Sequence, residues 1–448
     1  MARMFGTDGV RGVAGSELTS QLAYALGQAG TVVLAKEGGK KSPRILIGRD
    51  TRISGDMLEC AMAAGICSVG GTAVIAGVVP TPAIAYLTRT GGFDAGVVIS
   101  ASHNSYEFNG IKFFDGKGYK LPDAVEDEIE RLVRSDDIPN GTHDQIGKKE
   151  TLDEGLENYI RFACSTIEGN LSGMNIVIDC ANGASSVTAP ETLRRLGADV
   201  EVLSASPDGI NINDNCGSTH MEALCARVKE KGNCIGIAFD GDADRMLAVD
   251  ENGNMVDGDQ IMTICGLDMK NRGILKRDTI VITVMSNMGM TIAADKLGLK
   301  LEKTAVGDRY VLENMLANDY SLGGEQSGHM IFLDHNTTGD GLVSALQLLD
   351  VMKRSGKELR ELATVMRVLP QVLVNARIES EKRRIYNEDP VIAEEIRKLE
   401  KKYDGCGRVL IRLSGTEPLV RVMIEGEDLE DMKKDANALA ELMKERLV

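Results

Sequence analysis

The stretch GVVISASHNSYEFNGIKFF, residues 96–114, carries an apolar run straight into Ser102, His103 and Asn104, and then into Asn109, Gly110 and Lys112. A short, uniformly apolar run closed by small polar residues is the pattern of a buried strand in an α/β sheet. Side chains at the carboxyl end of such a strand face the crevice outside the sheet, where α/β proteins place their chemistry. A serine beside a histidine there has the makings of a reactive pair. Serine and asparagine also close strands and cap helices for purely structural reasons. On its own this stretch decides only the fold class.

Working outward, the first 150 residues alternate strand and helix patterns. RILIGRDTR (44–52) is a short β run, LECAMAAGICSVG (58–70) is helical, and GTAVIAGVVPTPA (71–83) is a strand closing at proline. Such alternation predicts a sheet with crossover helices. A polar segment, RSDDIPNGTHDQIGKKE (134–150), interrupts it. The same grammar restarts at MNIVIDCANG (174–183) and again after residue 256, with TIVITVMSN (279–287) as a strand and LEKTAVGDRYVLENM (301–315) as a strand leading into a helix. Beyond residue 368 the texture changes to strand, helix, two paired strands and a closing amphipathic helix, DLEDMKKDANALAELMKERL (428–447). The expected architecture is therefore three related α/β domains with mixed sheets, followed by a small α+β domain. Their expected spans are 1–152, 153–255, 256–368 and 369–448. A chain of 448 residues is long enough for three or four such cores.

FDGDADR places Asp240, Asp242 and Asp244 at alternating positions in the turn after the strand IGIAF. Three carboxylates so close repel one another unless a cation sits among them, and a hard divalent ion such as Mg²⁺ suits oxygen ligands. An EF-hand loop is the rival pattern, because Glu251 falls where its bidentate glutamate would. Arg245 occupies the position that loop reserves for glycine, and the flanks are strands, so the pattern fails. RLSGTEPLVR offers Arg412, Ser414, Gly415, Thr416 and Arg421, a hydroxyl-rich turn between arginines suited to a phosphate dianion. GGEQSGH presents Glu325, Ser327 and His329 on a glycine-rich loop, where a carboxylate and a hydroxyl can hold sugar hydroxyls. FGTDGVRG and GRDTR add Arg11, Arg49 and Arg52 as candidate anion ligands.

Bulk composition narrows the class. A net charge of −16 lacks the basic face that nonspecific nucleic-acid binding needs. Nine cysteines with no CxxC pair suggest neither a disulfide framework nor a zinc site, and fit reduced thiols in a cytoplasmic protein. No stretch approaches the ~20 apolar residues of a membrane span.

Taken together, FGTDGVRG, SASHN…NGIK, DGDADR, VGDRYV, GGEQSGH and RLSGTEPLVRVM follow an order that closely resembles the α-D-phosphohexomutase superfamily over the whole chain. GGEQSGH and NCGSTH (215–220) lean toward its glucosamine branch. The resemblance implies four domains around a central cleft, with a mobile fourth domain. It implies a phosphoserine at Ser102 and Mg²⁺ held by Asp240, Asp242, Asp244 and the phosphoseryl oxygen. His103 and Lys112 are then candidates for proton transfer and for orienting the substrate hydroxyl, and Arg11 and Arg245 for the transferring phosphoryl group. Glu325, Ser327 and His329, with Gly307, Asp308 and Arg309 of VGDRYV, would line the sugar. Arg412, Ser414, Gly415, Thr416 and Arg421 would grip the non-reacting phosphate.

The implied reaction interconverts glucosamine 6-phosphate and glucosamine 1-phosphate through a bisphosphorylated sugar, serving UDP-N-acetylglucosamine and cell-wall synthesis. Glucosamine or glucose 1,6-bisphosphate is the implied activator, the phosphosugar the partner, and a homodimer one possible assembly. Neither nucleic acid nor membrane is expected as a partner. A phosphomannomutase or phosphoglucomutase is the alternative within the superfamily; a Mg²⁺-dependent sugar phosphatase and a non-catalytic sugar-phosphate sensor lie outside it. One departure stands out: the superfamily usually has proline after SHN, and here Ser105 takes its place. Proline would stiffen the loop by fixing φ.

Overall fold

Three of the four sheets in the computed structural model repeat one topology, and the repeat dictates where the polar loops fall. The structure describes every residue except 1, 2, 7, 40, 136, 139, 380, 414–417 and 448. The first sheet contains β1 (Val10–Val13), β2 (Arg44–Arg49), β3 (Thr72–Val78), β4 (Ala95–Ile99), β5 (Phe108–Asp115) and β6 (Lys148–Thr151), in the order β1-β5-β4-β2-β3-β6. The second contains β7 (Asn175–Asp179), β8 (Asp199–Leu203), β9 (Ile235–Phe239), β10 (Met246–Val249) and β11 (Met255–Val256), in the order β11-β10-β9-β7-β8. The third contains β12 (Thr279–Thr283), β13 (Lys300–Thr304), β14 (Leu322–Gly324) and β15 (Met330–Phe332), in the order β13-β12-β14-β15.

In each sheet one strand (β2, β7 or β12) pairs in parallel with the next (β3, β8 or β13) on one side and with the one after that (β4, β9 or β14) on the other. The chain then turns back into an antiparallel strand: β4 to β5, β9 to β10, β14 to β15. The turn lies at the carboxyl end of β4, β9 or β14, beside the reversal of strand order where open sheets form a crevice. The three turns span residues 100–107, 240–245 and 325–329. Each of the three polar motifs thus sits at the same place in its sheet, as expected of related domains.

The strands read as apolar runs because helices cover both faces. β4 is buried throughout. Its Val97 and Ile99 join Leu26, Leu58, Ile45 and Phe113 in one core, while the helix Thr81–Thr90 contacts β2 and β4. Asp340 illustrates how the domains are joined. It caps the helix Gly341–Ser355 by accepting from Val343 N at 3.0 Å, and the same carboxylate accepts from Tyr159 Oη at 2.8 Å and Asn336 Nδ2 at 2.9 Å. That satisfies a fully buried charged group.

The chain forms two compact units, one comprising Met1–Met285 with Gly298–Val365, the other Ser286–Leu297 with Met366–Val448. The three related sheets lie in the first. In the second, β16 (Gln371–Arg377), β17 (Arg408–Leu413) and β18 (Leu419–Glu425) form an antiparallel sheet in the order β16-β18-β17. Its alternating Val420, Val422 and Ile424 pack with Met432, Leu439 and Met443 of the closing helix Leu429–Arg446. This is the expected α+β domain. Among the described residues, no helix is long and apolar enough to cross a membrane.

Candidate active site

Ser102 adopts a left-handed backbone, φ +52°, unfavourable for a non-glycine residue by about 1–2 kcal/mol. Buried donors hold it there. Arg52, with a fully buried side chain, pairs with Asp50 at 2.9 Å and donates to the carbonyls of Ser102 (2.9 Å), Asn104 (2.8 Å) and Ser105. Asn213, from the second sheet's domain, donates to Ser102 O and Asn104 O, both at 2.9 Å. The backbone N–H of Ser102 donates to Ser100 Oγ at 2.9 Å. The rigidity that proline would lend position 105 is thus supplied from outside the loop, and Ser105 itself stands exposed.

The hydroxyl of Ser102 donates to Asp240 Oδ2 at 2.6 Å and lies 3.3 Å from His103 Nδ1. Burial, then the cationic Arg245 and Arg11, lower His103 to about 4, so its imidazole is neutral near pH 7. The aspartate turn approaches so closely that a Cβ on Gly241 would lie 2.6 Å from Ser102 O. Only glycine fits there.

Asp240, Asp242 and Asp244 are all buried, and each offers an oxygen within 4.8 Å of the others. Asp240 Oδ1 accepts from Arg245 N at 3.1 Å. Asp242 Oδ2 accepts from Thr81 Oγ1 at 2.7 Å and Lys112 Nζ at 3.1 Å. Asp242 Oδ1 and Asp244 Oδ1 are buried with no hydrogen-bond partner. Buried bare carboxylate oxygens are unfavourable by about 1–3 kcal/mol each or more, and two of them beside a third carboxylate fit a cation. Asp240 behaves accordingly: burial, then Asp244 and Asp242, push its pKa well up. The turn is a candidate metal site.

Cations close the rest of the site. Lys112, on β5, is 2% exposed and lies 3.1 Å from Asp8, 3.1 Å from Asp242 and 3.8 Å from Asp244. Burial opposes its charge, but those carboxylates raise its pKa above the ordinary lysine range. Lys112 is therefore a fixed positive charge. Arg11, on β1, pairs with Asp8. His329 lies between Asp244 (3.6 Å) and Asp308 (3.5 Å); burial lowers its pKa, yet Asp244 first and Asp308 next lift it to about 9.

On the third turn, Glu325 Oε1 accepts from Gly307 N at 3.2 Å, joining GGEQSGH to VGDRYV, while Ser327 is exposed. Asp308 pairs with Lys120 at 2.5 Å. Arg309 is turned away from this group, donating to Leu121 O at 2.6 Å and to Asp123. Gln326 likewise donates to Asp257 Oδ2 at 3.0 Å, bracing the N-cap of the helix Gly258–Asn271. In the second unit, Arg412 and Arg421 stand directly opposite each other on β17 and β18. Burial, then Arg421, lowers the pKa of Arg412, as two facing cations require. Ser414, Gly415 and Thr416 lie outside the described residues.

Some partners were invisible in the sequence. Thr81, Asn213 and Lys120 reach the site from segments that read as ordinary strand ends and turns. Asp8 lay inside a quoted motif, but only its arginine drew notice. Conversely, the candidate anion ligands Arg49 and Arg52 are engaged elsewhere: Arg49 with Asp56 and Glu59, Arg52 with the serine loop. Glu251, the false EF-hand ligand, accepts from Leu359 N and Arg360 N.

Models of the phosphoglucomutase/phosphomannomutase family match nearly the whole chain: alpha/beta/alpha domain I at residues 2–139, II at 154–253, III at 257–368, and the C-terminal domain at 373–442. Proteins called phosphoglucosamine mutase are similar throughout. That of Ruminiclostridium cellulolyticum is 60% identical, covering 100% of both chains, and that of Clostridium novyi is 58% identical, covering 100% of this chain and 99% of its own. Among solved structures, a phosphoglucomutase/phosphomannomutase family protein from Burkholderia thailandensis superposes with a TM-score of 0.82 at 22% identity, covering 100% of this chain and 99% of that one. The N-acetylphosphoglucosamine mutase of Aspergillus fumigatus, in complex with GlcNAc-6P and magnesium, gives 0.69 at 18% identity, covering 99% and 96%. At these identities the structural likeness speaks for the fold.

Proposed function

We propose that this chain, which belongs to the phosphoglucomutase/phosphomannomutase family, interconverts glucosamine 6-phosphate and glucosamine 1-phosphate through a phosphoserine at Ser102 and a bisphosphorylated sugar. The observation that carries the reading is Ser102 Oγ at 2.6 Å from Asp240, beside two buried carboxylates with bare oxygens. The sugar is taken from the full-length relatives at 58–60% identity.

Phosphoryl transfer asks a protein mainly for positioning and charge neutralisation. Asp240, Asp242, Asp244 and a phosphoseryl oxygen would hold Mg²⁺, which when bound neutralises the oxygens of the transferring group. Arg11 and Arg245 flank that group, and Lys112 supplies a permanent charge that orients the incoming sugar hydroxyl. The bond from phosphorus to the sugar oxygen forms as the bond to Ser102 Oγ breaks. The proton leaves the sugar hydroxyl and ends on Oγ, and His103, with Nδ1 3.3 Å from Oγ, is the group assigned to carry it. In the second half-reaction the other phosphate returns to Ser102 by the same path reversed.

Glu325 and Ser327 are assigned to the sugar hydroxyls, with Gly307, Asp308 and His329 beside them. Arg309 holds the neighbouring loop at Leu121. Arg412 and Arg421, with Ser414, Gly415 and Thr416, are assigned to the non-reacting phosphate. A hexose 1,6-bisphosphate primes Ser102, and the product feeds amino-sugar nucleotide synthesis in the cytoplasm. The domains run 1–152, 153–255, 256–368 and 369–448.

The test is a kcat/KM panel of glucosamine, glucose and mannose 6-phosphates with phosphorylated protein and Mg²⁺. Glucosamine phosphate should lead by about tenfold or more, since a polar substituent lost against a buried partner is worth at least that. Equal or better turnover of mannose or glucose phosphate overturns the choice of sugar.

A further inference from the structure

We infer that Lys120 is a positioning residue for the phosphoryl-transfer centre, closing a ring of alternating charges that fixes Lys112 and His329 against the aspartate turn. The inference rests on the mutase reading above. The ring runs through Asp8, Lys112, Asp244, His329, Asp308, Lys120 and back to Asp8. Its contacts are 3.1 Å (Asp8–Lys112), 3.8 Å (Lys112–Asp244), 3.6 Å (Asp244–His329), 3.5 Å (His329–Asp308), 2.5 Å (Asp308–Lys120) and 2.9 Å (Lys120–Asp8).

The domains of all three related sheets contribute. Asp8, Lys112 and Lys120 belong to the first sheet's domain, Asp244 to the turn after β9, and Asp308 and His329 to the third sheet's domain. All six side chains are at most 26% exposed, and Lys112 and His329 only 2% and 3%. In so dry a place a charge must be answered by its neighbours, and the position of each group depends on the next.

Lys120 differs from the rest of the ring. The distances separate it from Asp242, Asp244 and Ser102 by Asp8 and Asp308, so it acts through those two carboxylates. Without its ammonium, Asp8 keeps Lys112 and Arg11 as its cationic partners among the described residues. Asp8 would then draw Lys112 away from Asp242 and Asp244. Among the described residues Asp308 would keep His329 and the backbone N–H of Arg309, and His329, as its one remaining cation, would be drawn from Asp244. Both shifts move side chains beside the reacting oxygens, while the backbone of the sugar-binding turn keeps its own bonds and Glu325, assigned to the sugar hydroxyls, keeps Gly307 N. On its other side Lys120 borders a cavity of about 340 Å³ lined by Leu121, Leu312, Leu316 and Ile331 among others. That space admits a larger head group, so an arginine can bridge Asp8 and Asp308 in its stead.

The experiment compares Lys120→Met and Lys120→Arg with wild type in the phosphorylated, Mg²⁺-loaded enzyme. It measures kcat and KM for the hexose phosphate turned over, thermal unfolding, and crystal structures of wild type and Lys120→Met. Lys120→Met should lower kcat on the order of ten- to a hundredfold with KM within about threefold, the signature of misplaced groups rather than lost substrate contacts. Lys120→Arg should restore most of that kcat. In the Lys120→Met crystal, Lys112 Nζ should have moved away from Asp242. Wild-type kcat in Lys120→Met overturns the proposal. So does a KM rise matching the kcat loss, an unmoved Lys112, or a folded Lys120→Arg no better than Lys120→Met. Should wild type isomerise no hexose phosphate, the mutase reading fails, and the two crystal structures still decide whether Lys120 sets the position of Lys112.

Discussion

Replacing Thr81 by valine removes one hydroxyl and keeps the shape. In the folded protein that hydroxyl donates to Asp242 Oδ2 at 2.7 Å, and both residues are 1% exposed. A hydrogen bond to a charged acceptor is worth about 1.5–3 kcal/mol. Asp242 Oδ2 keeps Lys112 at 3.1 Å, so the oxygen is not left bare and the lower end applies. The bond from Thr81 N to Asp242 O, 2.9 Å, also survives, which holds the turn in place while the carboxylate loses its aim. About 1.5 kcal/mol is a factor of about ten, in the range seen when residues that orient metal-binding carboxylates are changed. Thr81→Val should therefore bind Mg²⁺ about tenfold more weakly by calorimetry, with thermal unfolding of the metal-free protein near wild type, and Thr81→Ser should bind normally. Unchanged Mg²⁺ affinity in Thr81→Val would show that Asp242 does not face the metal, and the reasoning would fall.

Ser102→Ala should abolish isomerisation and phosphate incorporation while leaving the circular dichroism spectrum intact; wild-type-like turnover with bisphosphate supplied would refute the assignment of the phosphoryl carrier. Arg421→Ala should raise KM for the 1-phosphate and the 6-phosphate alike by about tenfold or more, the loss of a charge-assisted contact. An effect on one isomer alone would mean that the two phosphates use different clamps. Arg52→Met should lower stability by about 3–5 kcal/mol in urea unfolding, because Asp50 would remain as an uncompensated buried charge. A shift under about 1 kcal/mol would contradict the description of the serine loop.

How far the sequence carried can be judged from particular residues. The strand before Ser102 and the one before Asp240 were legible because both are buried on two faces, and burial leaves an apolar run that ends abruptly where polar atoms must begin. Three like domains were legible from the recurring strand–helix grammar, although only pairing reveals that the three turns are equivalent. Arg52 reads as an anion ligand because an arginine three residues past a strand end looks the same in sequence whether it meets a ligand or three carbonyls of its own chain. Gln326 marks a branch of the superfamily, yet its side chain braces Asp257, so its link to the sugar is indirect. Thr81, Asn213 and Lys120 escaped notice because their importance lies in approach across domains, and single residues carry no periodicity to read.

The central claim is that Ser102 hands its phosphate to a sugar and takes one back. The most direct measurement follows label: protein carrying radioactive phosphate on Ser102, with Mg²⁺, is mixed with unlabelled glucosamine 6-phosphate and the products are separated over time. Label should pass from protein to glucosamine 1,6-bisphosphate and then appear in glucosamine monophosphates, with free phosphate a minor product. Release of the label chiefly as inorganic phosphate, with no bisphosphate at any time, would make the protein a phosphatase and contradict the account.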